Sequence, residues 1–440
     1  MLSKQKLAAF VCLMFGAIGM VVHGTSQQYE KTATKRTLVR AGHLLDVKTG
    51  KLMDAQTVVV LGDTIQSIAP TASVQAQPGD VVLDLSGMTV MPGLIDVHTH
   101  LNYDTDFDPY HELIKTEAKQ AINGVANART TLLAGITSVR NVGTDSYADV
   151  DLRDAINSGQ VPGPHMQVSG PALGITGGHC DNNLLPIEYH VVGEGVADGV
   201  AAVQHKVRQN IKYGVDLIKI CATGGVLSKG DDPQASQYTL EEMQAIVADA
   251  HRLGRRVAAH AHGAQGILWA SVAGVDSIEH GSYINDEAIA EMKKRGTYLV
   301  PTLYLEDWML EKGHLPPFYH QKMVDVSAVA KGNIKHAMQA GVKIAMGTDA
   351  AVYPHGLNAH ELDVYVNQLG MAPLAALQTA TINAADLMGW TAKTGTLEAG
   401  KWADIIAVEK NPLDDVRVLQ DVKFVMKAGV VYKGGDIEKK

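Results

Sequence analysis

Residues 93–100 read Gly-Leu-Ile-Asp-Val-His-Thr-His, a short apolar run that ends on two histidines one residue apart. Pro92-Gly93 punctuates the chain at its start. From there to about Trp390, short apolar runs alternate with amphipathic helical stretches. The strand candidates are Gly93–Val97, Thr137–Asn141, His165–Ser169, Leu217–Ile220, Val257–His260, Ser277–Glu279, Tyr298–Pro301 and Lys343–Met346. The helical candidates between them include Glu112–Ala134, Ala201–Tyr213, Leu240–Leu253, Ala264–Ala273, Asp286–Arg295 and Met323–Ala340. Strands alternating with helices predict a parallel sheet, and a set of about eight closes a (β/α)8 TIM barrel.

On the N-terminal side lie Thr37–Ala41, Leu44–Val47, Gln56–Leu61, Thr64–Ile68 and Val81–Leu85, mostly β-branched and separated by Gly, Asp and Pro. That is the pattern of small antiparallel strands. The tail returns to it in Ala403–Val408, Val422–Lys427 and Val430–Tyr432. The expected architecture is therefore an α/β protein. A barrel over 93–394 is flanked by a small β-sandwich domain built jointly from 37–92 and 395–440. Residues 1–24 read as a signal peptide: Lys4 and Lys6 precede the apolar run Leu7–Val22, and small polar residues follow it. The run is short for a membrane span of ~20 residues, so the expectation is an exported protein, periplasmic or secreted, with no stable membrane insertion after cleavage. Cleavage leaves Cys180 and Cys221, a pair free to bridge in an oxidising compartment.

A net charge of −9 excludes the basic face that nucleic acid or an anionic membrane demands. The informative residues are placed rather than numerous. His98 and His100, two apart on a strand, point to one side. Lys219 lies inside the apolar strand Leu217–Ile220, where a charge is costly unless neutralised. His260 and His262 end the next strand, Glu279-His280-Gly281 the one after, and Gly347-Thr348-Asp349 the last. Barrel enzymes build their sites at these C-terminal ends, so the alignment of His, His, Lys, His, His and Asp points to a metal-assisted hydrolase.

The chain resembles the amidohydrolase superfamily, and within it the imidazolonepropionase-like and prolidase-like branch. The likeness covers nearly everything after residue 37. Its carriers are VMPGLIDVHTHL (90–101), DLIKICATGG (216–225), AAHAHG (258–263), SIEHG (277–281), MGTDA (346–350) and GTLEAGKWADIIAV (395–408). The resemblance implies two divalent metal ions, zinc foremost. His98, His100 and Asp349 would hold the buried ion and His260 with His280 the outer one. N6-carboxylated Lys219 would bridge them. It further implies that bound metal lowers the pKa of a water from ~15.7 to ~7, and that Asp349 carries the proton to the leaving nitrogen. Four residues are candidate substrate contacts. His179, in Gly177-Gly178-His179, is placed to hold an oxyanion or a substrate carboxylate. Tyr238 precedes a helix with a Thr239/Glu242 capping box; His262 and His355 complete the set.

The expected activity is hydrolysis of dipeptides or N-acyl amino acids, of the Xaa-Pro or Xaa-Arg/Lys type, by a homo-oligomer. Deaminases and cyclic-amide hydrolases of the same superfamily are the alternative, but they lack the strand lysine and carry His-x-x-Glu where this chain has His260-Ala261-His262-Gly263. Aryl and other non-peptide amides fit the same motifs. A non-catalytic binding module would require gaps in a ligand set that is full.

Overall fold

The structure, a computed structural model, describes residues 35–434. The expected signal peptide lies outside the described residues. Among those described, no helix is long and apolar enough to cross a membrane.

Four strands come first: β1 (Arg36–Asp46), β2 (Lys51–Leu61), β3 (Thr64–Pro70) and β4 (Val81–Pro92). The two runs expected at 37–41 and 44–47 form the single strand β1. Its register against β4 slips between Ala41 and His43. Gly42 makes that bulge: a Cβ there would stand 2.0 Å from the Ser86 carbonyl oxygen, so only glycine lets the backbones approach.

β4 runs through Pro92-Gly93 into the barrel. Its staves are β5 (Leu94–Thr99), β6 (Ile136–Asn141), β7 (His165–Val168), β8 (Leu217–Cys221), β9 (Arg256–Ala261), β10 (Ser277–His280) and β11 (Tyr298–Val300). β5–β7 and β8–β11 form parallel sheets of three and four strands. Between β7 and β8, Leu173 N–H donates to the Lys219 carbonyl and Cys221 N–H to that of Leu173, both at 2.8 Å. The expected last strand, 343–346, is a stave without regular strand geometry. It still closes the ring: Leu299 N–H donates to the Lys343 carbonyl at 2.8 Å and Val97 N–H to that of Met346 at 2.9 Å. Gly347 ends it where a Cβ would collide with Val300 and with His98.

Helices at 240–252, 264–273 and 286–295 match the apolar periodicity, and Thr239 and Glu242 form both halves of the capping box. The stretch expected as one helix from 112 breaks into Pro109–Ile114 and Glu117–Leu133. Lys115 is extended there, and Thr116 accepts from Lys119 N–H to start the second helix. The helix expected from Met323 begins at Pro317, a proline suited to the first turn.

The last strands, β12 (Ile405–Val408), β13 (Phe424–Lys427) and β14 (Val430–Lys433), return to the N-terminal sheet in the order β14-β13-β12-β4-β1-β2-β3. This sheet folds back on itself, since Ile65 exchanges hydrogen bonds with Lys401 and Gly400 at 2.8 Å. The sandwich so formed encloses its own apolar core, including Val39, Val58, Leu83, Val90, Ile405 and Phe424.

Candidate metal centre

The C-terminal ends of the staves carry two histidine groups. His98 and His100 on β5 meet Asp349, which follows the eighth stave; their Nε2 atoms lie 3.3 and 3.2 Å from its Oδ1. His260 on β9, His262 just beyond it and His280 on β10 form the second group. In each, ligand-capable atoms lie within 4.8 Å of one another. The groups adjoin: the His98 and His280 rings are 5.1 Å apart. His262 thus shares the second group with the two histidines expected there.

Hydrogen bonds on the other ring nitrogen aim most of these imidazoles. His98 Nδ1 pairs with Glu279 Oε2 at 2.8 Å, and His100 Nδ1 with the Gly143 carbonyl at 3.0 Å. His262 Nδ1 meets Ser282 Oγ, and His280 Nδ1 meets Thr302 Oγ1, both at 2.8 Å. His260 Nε2 meets the Gly224 carbonyl at 3.1 Å. Such partners orient metal-binding imidazoles. Burial, reinforced by neighbouring histidines, drives His260 and His280 well below the usual range. Burial and His179 take His262 down to about 3. The neutral form so favoured is the one that binds metal. Burial opposes ionisation of Asp349, yet His98 and His100 hold it well below the usual carboxylate range.

Lys219 is buried on β8. Desolvation lowers its amine to about 8, against the pull of Glu279 and Asp349. Its charge reaches His260, His262 and His280 as well as Asp349. Among the described residues its amine makes no hydrogen bond or ion pair. A buried amine with no direct ion-pair partner among the described residues, an ionised carboxylate and neutral imidazoles are a donor set that fits divalent metal ions.

His280, Thr302 and Asp349 all adopt positive φ, at 68°, 54° and 58°. For a β-branched threonine this is an outlier, and strained backbone collects at functional sites.

His179 joins the site, its ring stacked 4.1 Å from that of His260. His355 lies near His100, with Nδ1 3.5 Å from Thr131 Oγ1. Tyr238 is buried in the core and its hydroxyl has no hydrogen-bond partner among the described residues; its charged neighbours are Glu242 and Asp198. It is not brought into either histidine group. Cys180 and Cys221 are joined in a disulfide.

Several supporting residues escaped the sequence reading. Arg140 on β6 is buried and donates to Glu279 Oε1 at 2.7 Å and to Ser277. Burial raises Glu279, but Arg140 and His98 outweigh it and hold the carboxyl at about 2. Asp96 accepts from Thr348 Oγ1 and Asn358, fixing the turn that carries Asp349. Arg140 had a readable signal, a charge inside an apolar strand, the same clue that singled out Lys219.

The amidohydrolase family model matches residues 89–433. The chain belongs to the amidohydrolase family. It is 37% identical to an ochratoxinase of Aspergillus niger over 376 residues, 79% of this chain and 76% of the relative. A crystal structure of a Xaa-Pro dipeptidase with bound methionine superposes with a TM-score of 0.87 at 38% identity, over 91% of this chain and 100% of the other. A prolidase bound to N-methylphosphonate-L-proline gives 0.83 at 31%, over 91% and 100%. This amidohydrolase therefore lies in the prolidase-like branch and is a hydrolase of amide bonds, with the TIM barrel and β-sandwich that its sequence predicts.

Proposed function

We propose that the protein hydrolyses dipeptides or N-acyl amino acids with two divalent metal ions, zinc foremost, bridged by N6-carboxylated Lys219. The observation that carries this is Lys219 itself, a buried amine beside two histidine groups that makes no hydrogen bond or ion pair among the described residues. A carbamate would convert that amine into an anionic ligand shared by both. His98, His100 and Asp349 would hold one ion, and His260 with His280 the other. Bound ions supply an activated water and a polarised carbonyl.

The chain's own residues do the rest. Asp349, held ionised, takes the proton from the attacking water and returns it to the leaving nitrogen. His179, whose Nδ1–H donates to Ser228 Oγ at 2.8 Å, would hold the oxyanion or a substrate carboxylate through Nε2 in its protonated form, in which both ring nitrogens donate. His355 and His262 complete the proposed substrate contacts, and Tyr238, buried in the core away from both histidine groups, takes no part. The disulfide supports export to an oxidising compartment, and a homo-oligomer is the assembly proposed.

A second reading is hydrolysis of a bulkier aryl amide, ochratoxin among them. A cavity of about 780 Å³ on the segments that follow β5 and β11 supports it, with Phe107, Trp308 and Leu315 in a lining that also holds Asp106, Asp108, Lys312 and His320.

Purified protein supplied with zinc and bicarbonate should carry two metals per chain and cleave members of a panel of Xaa-Pro, Xaa-Arg, Xaa-Lys and aryl amides. Lys219→Ala should abolish turnover. One metal per chain, or full activity without Lys219, overturns the mechanism in favour of a deaminase or cyclic-amide hydrolase.

A further inference from the structure

We propose that the Cys180–Cys221 disulfide is a positioning device for His179, so that the redox state of this one bond sets how well the site binds substrate. The kinetic part of this inference rests on the amide-hydrolase reading above.

The two cysteines are 41 residues apart, with Cα atoms separated by 6.1 Å. Cys180 is the residue after His179, and Cys221 lies two past Lys219 at the end of β8. The bond therefore ties the segment carrying His179 to the strand carrying Lys219. Beyond the bridges of Leu173 to Ile220 and Gly174 to Val196, that segment, from the end of β7 to the helix starting at Val200, contains one short 3-10 turn, Ile187–Tyr189. Long irregular connections are where conformational multiplicity resides.

The His179-Cys180 pair is seated closely. A Cβ on Gly225 would lie 2.2 Å from His179 Cε1 and Nδ1, and one on Gly174 would lie 2.7 Å from Cys180 Cβ. His179 N–H donates to Gln237 Oε1 at 3.1 Å. Ser228, which meets His179 Nδ1, is held in turn by Asp231, and Asp231 by Lys322. This seat fixes the imidazole only while its segment stays down, and the disulfide is the covalent link that keeps it there. Cys180 is partly exposed whereas Cys221 is buried, so a reductant approaches from the Cys180 side. Reduction by a trialkylphosphine and one water breaks the Sγ–Sγ bond, oxidises the phosphine to its oxide and leaves two thiols.

The test compares the intact enzyme with phosphine-reduced enzyme and with Cys180→Ser/Cys221→Ser, each with and without His179→Ala. Amide hydrogen exchange across 174–184 should accelerate at least tenfold on loss of the bond, while metals per chain stay constant. With His179 present, kcat/KM should fall about 10–100-fold, since a misplacement of about 1 Å costs that much. In the His179→Ala background the same loss should cost less than about twofold, because coupled residues are non-additive. Unchanged exchange, or equal kinetic losses in both backgrounds, overturns the proposal. If the oxidised enzyme cleaves no amide in the panel, the functional reading falls instead, and exchange alone decides this one.

Discussion

The two histidine groups are built alike in front and differently behind. His98 and His100 face a carboxylate, Asp349, and His98 leans on a second one, Glu279, which is locked to Arg140. His262 and His280 lean on the hydroxyls of Ser282 and Thr302, and His260 on a carbonyl. A divalent cation held as proposed would meet fixed negative charge behind the first group and neutral dipoles behind the second. The first should grip and the second should exchange, which suits a pair in which one ion anchors and the other meets substrate.

The largest effect expected is at Asp349. Asp349→Asn removes both the charge and the proton acceptor, and kcat should fall by about 10²–10⁴-fold. A drop of only a few-fold in steady-state assays would mean that the anionic half is not where the proton moves. Next comes Glu279→Gln, which strands the Arg140 guanidinium in the barrel interior. Urea unfolding should show a loss of about 3–5 kcal/mol, whereas a loss below about 1 kcal/mol would erase the distinction between the two backings.

Chelator titration should then remove metal in two phases, the second group emptying first. Thr302→Val or Ser282→Ala should weaken that phase by about 10–100-fold in metal affinity and leave the other phase unchanged. A single phase, or both phases shifting together, would show that the groups act as one.

The smallest effect lies outside both groups, and serves as a control. Burial lifts the Glu306 carboxyl to about 8, against the opposing pull of Lys331. Unfolded, it titrates near ~4.3. Its contribution to stability is therefore complete below ~4.3 and lost as pH rises through about 8. Glu306→Gln should flatten the fall in melting temperature between pH 5 and pH 8 without altering kcat at pH 7. An identical slope in the two proteins would rule this out.

The barrel was legible because each stave is a short apolar run, and five of them carry a chemistry-bearing residue at or near one end. The front of the site was legible for the same reason, from His98 to Asp349. What stood behind it was not. Ser228, Thr302 and Asn358 are ordinary polar residues in loops, and only the fold shows that each meets a site residue or the turn that carries one. Glu279 was quoted for its neighbour His280, and its bond to His98, 181 residues away, has no local signature. The merged β1 was misread because Gly42 looks like a break in sequence, whereas in the sheet it is where two backbones touch.

The pairing of β4 with β12 bears on how the chain is made. Pro92 lies opposite Ile405, 313 residues further on (405 minus 92). During synthesis, β4 waits with an open edge while the whole barrel emerges from the ribosome, and β12 arrives only after it. Loop-closure entropy makes so distant a pairing slow. Sealing of this sheet should be the late kinetic step, and until it is complete the exposed β4 edge is the place where a nascent chain would recruit a chaperone or a second copy of itself.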